Sequence, residues 1–358
     1  MPIEFSKSRW DKIREDYARW WAGELKRPLF QLRPKRDPGR PAPGVSGECP
    51  LLMYDPDAAP ERIVDIWDYE LSCIKYVGDS FPCYWPNFGP GAVGVFMGAK
   101  AAPEEETVWI MPPSDRGIRD IHLRFDPDNA IFKHHNAICR AAMDRWNGLV
   151  QMSMTDLGGN LDVVAIFRPG EKLLFDLYDN PDEVKRLVWE AHSAWWAYYR
   201  AISDMYGARN PGYTAWLPML SDGPYYVLQC DFCYMIGPDM FDEFVRPEIA
   251  ATAKKLKNSF YHLDGVGSLP HLDSILSIPE IKGIQWVFGD GKPGVLHWPH
   301  VYRKIRDADK LLYLSCSFDE FDTVVNRLGS AEGIILRQWE TNESETSIRE
   351  FLSKYGAL

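Results

Sequence analysis

No stretch of this chain reaches the roughly 20 consecutive apolar residues that a membrane-crossing helix needs. Its start, MPIEFSKSRWDKIREDYARWW, is charged and periodic where a secretion signal would be apolar. Basic stripes are missing too: 40 Lys and Arg face 51 Asp and Glu, a formal net charge of −11, so a phosphate backbone would be repelled and nucleic acid is a poor partner. Cysteine is sparse, with seven scattered residues, an odd number that argues for reduced thiols rather than a disulfide framework. No G-x-G-x-x-G stands directly after the first strand-like run, where a dinucleotide fingerprint belongs, and no Walker sequence occurs. No nucleophile elbow with an ordered Ser, Asp and His appears. Repeats, low-complexity tracts and shifts in composition are likewise absent. These absences predict a soluble cytoplasmic protein acting on a small molecule, with no membrane and no nucleic acid, its oligomeric state left open.

Present instead is enough apolar material for a large core: 46% of 358 residues are hydrophobic and 13% aromatic. From about residue 120 onward, β-rich runs (GLVQMSM, GYTAW, SFYHL, GIQWVF, KLLYLS, GIILRQW) alternate with helical segments, the signature of βα units. NPDEVKRLVWEAHSAWWAYYRAI starts with Asn180 as N-cap and Pro181 in the first turn, and Val184, Leu187, Val188, Ala191 and Trp195 form one stripe. GPDMFDEFVRPEIAATAKKLK predicts a helix kinked at Pro247. Adding PLFQLR and IKYVGDSF gives about eight strands. The expected fold is α/β, a closed (β/α)8 TIM barrel spanning 1–358 as a single domain with an irregular N-terminal region.

In such a barrel the chemistry sits just past the strand C-termini. SFYHLDG places His262 and Asp264 there, two residues apart and therefore on one side of the strand. They suit a pair of metal ligands awaiting a third, or a proton-transfer histidine oriented by a carboxylate; the alternative is a hydrogen-bonded rim histidine beside a turn-forming aspartate. Cys316, ending KLLYLSC, offers a thiolate that suits zinc or another divalent metal, and competes with a reading as a small buried hydrophobe. Asp79 ends VGD ahead of a glycine-rich loop. The long connection LPMLSDGPYYVLQCDFCYMIGP contributes Asp222, Asp231 and Tyr234. Arg33 is a candidate carboxylate clamp and Trp286 a candidate substrate contact. The lone C-x-x-C of Cys230 and Cys233, His271 on the following helix, and the pair His134 and His135 read as structural.

At GDSFPCYWPNFGPG, TDLGGNLDVVAIFRPGEKLLFDLYDNPDEVKRL, QCDFCYMIGPDMFDEFVRPEI and YHLDGVGSLPHLDSIL, the chain resembles the uroporphyrinogen decarboxylase superfamily, which includes corrinoid-dependent methyltransferases. The resemblance spans nearly the whole chain and implies the barrel with its pocket at the strand C-termini. Decarboxylases of the family carry an Arg, an Asp, a Tyr and a late His; Arg33 and Asp79 match the first two, whereas LDVVAIFRPG has no Tyr and GIILRQWE no His. The thiol methyltransferases hold zinc through His-x-Cys plus a later Cys. Here the pair reads His262-Leu-Asp264, a harder ligand set suited to activating oxygen or nitrogen, with Cys316, Gln338 or Glu340 as the third ligand. The resemblance therefore implies a methyltransferase moving a methyl group between a small methylated substrate and a corrinoid on a partner protein, with Asp79, Asp231 and Tyr234 in catalytic roles and Arg33, Asp222 and Trp286 binding substrate. Its rivals are a metal-free lyase using Arg33 and Asp79 on a carboxylated substrate, and a barrel that binds a ligand without turnover.

Overall fold

The computed structural model describes residues 2–339 and 341–358. Its strands are β1 (Leu29–Arg33), β2 (Val77–Gly78), β3 (Cys83–Tyr84), β4 (Lys100–Pro103), β5 (Val108–Met111), β6 (Gln151–Met152), β7 (Tyr225–Leu228), β8 (Asn258–Asp264), β9 (Gly283–Val287), β10 (Leu311–Ser315) and β11 (Ile334–Trp339). Seven of them form one sheet in the order β2-β1-β11-β10-β9-β8-β7, parallel except for the antiparallel β2. β3 and β6 pair in parallel, and β4 and β5 form a hairpin. The protein is thus α/β, a mainly parallel sheet with helices in its crossovers. Parallel strands covered on both faces need near-continuous apolar runs, and β1, β7 and the first half of β8 are wholly buried.

Beyond the main sheet, the Gln151 and Ser153 amides donate to the carbonyls of Pro82 and Tyr84, at 2.9 and 2.8 Å, and the Met154 amide donates to Thr214 O at 2.8 Å. GYTAW, expected as a strand, makes only an isolated bridge between Tyr213 and Ser221. The chain turns back at Leu217 and Pro218, where proline has no amide to continue a ladder. The strand beside β8 is β7, from the stretch expected to be a loop.

Helices mostly follow their sequence signals. Ser317 and Glu320 cap the helix Phe318–Leu328 reciprocally, and Gly329 ends it at φ 82°. In Pro181–Tyr206, Val184, Leu187, Val188, Ala191 and Trp195 are all buried. Asn180 does not cap that helix with its side chain, because the preceding helix Glu171–Asp179 runs straight into it and its Nδ2 donates to Asp176 Oδ1 at 2.8 Å. At Pro247 the expected kink is a full break, giving Pro238–Phe244 and Arg246–Ala253. The first helix, Lys7–Trp21, lies against the sheet's N-terminal edge, with Trp20 stacked on Phe260 and Tyr17 accepting from Gln31 Nε2 at 2.7 Å. No helix of the described residues is long and apolar enough to cross a membrane.

Because β2 runs antiparallel to β1, the residue after it emerges at the N-terminal end of β1, away from the strand C-termini. That residue is Asp79. It is buried, accepts both terminal nitrogens of Arg27 at 2.8 Å, and also accepts the Phe30 amide at 2.9 Å. Its expected catalytic role therefore gives way to a structural lock between the two strands. Asp79→Asn, which removes the bidentate partner of the part-buried Arg27 and leaves it only the Asp16 carboxylate at 2.9 Å, is expected to lower unfolding free energy by about 3 kcal/mol in urea titration; an unchanged midpoint would contradict the lock.

Candidate functional site

β8 ends in His262 and Asp264, whose side chains share a face because residues alternate along a strand. In register with them on β9 stand Gln285 and Val287. Gln285 Oε1 lies 2.8 Å from His262 Nδ1. A carbonyl oxygen only accepts, so Nδ1 is the donor in this bond, and in the neutral ring the lone pair lies on Nε2, the tautomer that suits a metal ligand. Trp216 meets the same ring edge-on, with centroids 5.0 Å apart.

The third group is Asp231, in the turn Asp231–Met235 that follows β7. One ligand atom each from Asp231, His262 and Asp264 lies within 4.8 Å of the other two, and they are the group of three or more His, Cys, Asp or Glu with that property among the described residues. Both aspartates are exposed and the histidine half-buried. The Asp231 turn is fixed from behind: Asp162 accepts the amides of Asp231 and Phe232 at 3.0 and 2.8 Å. Gly159 permits this approach, since a Cβ there would stand 2.2 Å from Gln229 O and 2.5 Å from Asp162 Oδ2.

The acids crowd one another. Desolvation by the surrounding protein and the charge of Asp264 raise the Asp231 carboxyl above its ordinary range, against the pull of His262. Burial first, and Asp231 second, push Asp162 up to about 7. Asp156 is also pushed to about 7 by burial, although it accepts the Gly158 amide at 2.8 Å. A cation at the mouth would relieve this repulsion.

Tyr234, expected in a catalytic role, is exposed and packed over the β8 turn, where a Cβ on Gly267 would lie 2.5 Å from its ring. Together with Asp231 and Asp264 it lines a recess of about 340 Å³. A larger cavity of about 790 Å³ is lined by Arg33, Tyr84, Trp85, Trp216, Arg337 and Trp339 among others, and Trp216 connects it to His262. Arg33, expected to contact substrate, is part of this lining.

Four other expectations do not hold in the geometry. Cys316 follows β10 on the alternate parity, its carbonyl accepts Gln338 Nε2 at 2.9 Å, and burial pushes its thiol up to about 12, so it supplies neither the thiolate nor the position of a third ligand. Gln338 is turned to that same carbonyl, and Glu340 lies outside the described residues. Trp286, one residue past Gln285, faces the helix layer, buried against Trp298 at 5.4 Å rather than toward substrate. Asp222 precedes β7 and so sits at its N-terminal end, in an exposed ion pair with Lys257. His271 is buried, stacked on Phe241 and bonded to Cys233 O, in keeping with its structural reading. Sequence reasoning missed Gln285, Asp162, Trp216 and Arg337 as site components; a glutamine inside the apolar run GIQWV was the one available signal.

No protein-family profile and no curated protein sequence matches the chain. Among solved structures, a methyltransferase from Methanosarcina mazei superposes with a TM-score of 0.60 at 11% sequence identity, covering 96% of this chain and 97% of that one. The likeness is one of fold.

Asp156, raised from 3.8 to about 7, keeps a proton in the folded state that the unfolded chain releases. Stability of the metal-free protein should therefore fall as pH rises through that window, and Asp162 contributes in the same direction. Asp156→Asn is expected to flatten the decline in melting temperature between pH 5 and 8; a curve parallel to wild type would contradict the assignment.

Proposed function

We propose that this chain is a metal-assisted methyltransferase of the uroporphyrinogen decarboxylase-like kind, built as a single (β/α)8 barrel. In this reading β3 and β6, with the amide bonds at Pro82, Tyr84 and Thr214, close the ring between β1 and β7. The observation that carries it is the convergence of Asp231, His262 and Asp264 at the strand C-termini, with His262 oriented by Gln285. One imidazole and two carboxylates fit a divalent ion of borderline or hard character; without a thiolate, the set differs from a zinc site made for thiols.

The three residues would hold the ion, and its chemistry when bound would be that of a Lewis acid toward the oxygen or nitrogen bearing the methyl group. The protein's own share is positional. Gln285 keeps Nε2 of His262 directed at the shared point, Asp162 holds the Asp231 turn in place, and Tyr234 covers the glycine turn beside the triad. Methyl transfer moves the carbon as a cation equivalent to a nucleophilic acceptor, here a corrinoid on a partner protein; the heteroatom keeps the bonding pair and takes a proton from water in the mouth. The fold likeness to a methyltransferase supports the reaction class. The rival lyase reading needs Arg33 and Asp79 together, but Asp79 is spent on Arg27 at the other end of β1.

Equilibrium dialysis against Zn²⁺, Mn²⁺ or Co²⁺ tests the reading. One ion should bind per chain. Gln285→Leu should weaken binding about 10- to 100-fold, as loss of a ligand's orienting partner does, His262→Ala should abolish it, and Cys316→Ala should leave it unchanged. No ion bound by wild type, or undiminished binding by His262→Ala, would overturn it.

A further inference from the structure

The larger cavity carries an anomaly of its own. Arg33 is 5% exposed, and its hydrogen bonds go to Cys83 Sγ at 3.1 Å and, at 3.5 Å, to Phe81 O. Arg337, in register with Gln31 on the neighbouring strand, has a buried Nε with no partner. Among the described residues neither arginine has a carboxylate within ion-pair reach. Both guanidinium carbons lie over the Trp339 ring, 4.3 and 3.4 Å from its centroid, so two like charges share one indole. Buried cations without a counter-charge are costly, and placing two together compounds the cost.

The rest of the lining repeats the imbalance. Trp85 Nε1 and Trp216 Nε1 border the cavity, and each is a buried donor without an acceptor. The lining holds two acids, Glu48 and Glu70, against Arg33, Lys35, Arg36 and Arg337, and Glu70 is engaged, accepting from Tyr84 Oη at 2.7 Å and the Gly47 amide at 2.8 Å. Two guanidiniums, two orphan donors and flat aromatic walls ask for a ligand that brings acceptors, negative charge and a planar body.

We propose that this cavity binds an aromatic carboxylate, with Arg337 and Arg33 gripping the acid over Trp339 and the ring lying along Tyr84, Trp85 and Trp216. The inference names the substrate class of the proposed function and rests on that reading only for which end reacts: Trp216 both lines the cavity and touches His262, so the far end of a bound ring points to the triad. An acidic protein with a positively charged pocket selects a small anion by local field, not by net charge.

Calorimetric titration with benzoate tests it, with benzamide as the uncharged analogue and cyclohexanecarboxylate as the non-planar acid. Benzoate should bind wild type, benzamide should not, and the saturated acid should bind at least several-fold more weakly. Arg337→Met should weaken benzoate at least tenfold while its melting temperature stays at or above wild type, since an unpaired charge has been removed. Should Arg337→Met fail to fold, Trp339→Leu carries the same expected weakening. His262→Ala should retain benzoate affinity within about twofold, so that failure of the metal reading and failure of this one are distinguishable. No benzoate binding, equal binding of benzamide, or an Arg337→Met protein that loses stability but keeps benzoate affinity would overturn the proposal.

Discussion

Side chains alternate along a strand, and in a parallel sheet residues in register point the same way. On β8 and β9 this puts His262 beside Gln285, and their 2.8 Å hydrogen bond decides which imidazole nitrogen faces the mouth. If that pairing slipped by one residue, His262 would stand beside Ile284 or Trp286 and lose its bond to Gln285. The register is kept by burial: Phe260, Tyr261, Leu263 and Ile284 are each essentially inaccessible and would be exposed or clash in any other alignment. The precision of the polar cluster is thus inherited from apolar packing beneath it.

The same parity divides the final strands into two functions. Arg33 and Arg337 stand on one face with Trp339, where they leave an unbalanced positive cavity, while Cys316 and Gln338 fall on the other and bond to each other. The mouth therefore has two electrostatic halves. One carries clustered carboxylates around His262, and the other carries guanidiniums around an indole, with Trp216 between them. A cation stabilises the first half and an anion the second, and a molecule spanning both would meet opposite fields at its two ends.

Much of the fold was legible because the βα alternation is a local pattern. The helix Pro181–Tyr206 could be read from spacing, and Phe318–Leu328 followed its strand as expected; its capping box is seen in the structure. What was not legible depended on partners distant in sequence. GYTAW and YYVL have similar β propensity, and only the neighbouring β8 chooses between them. Asp79 sits at a strand end as expected, but the direction of β2 decides which end, and a sequence carries no direction of pairing. His262 and Asp264 were found because both lie on one strand. Asp231 was named from its loop without this neighbourhood, since its nearness to them is set by β7 lying next to β8.

The most direct test of the central claim is anomalous diffraction from crystals of the metal-loaded protein, collected at the absorption edge of the added ion. The account predicts one strong peak about 2.0–2.2 Å from His262 Nε2 and within the same reach of a carboxylate oxygen from Asp231 and from Asp264. A map without density there, with the imidazole rotated off Gln285 and the two acids turned apart into solvent, would contradict it.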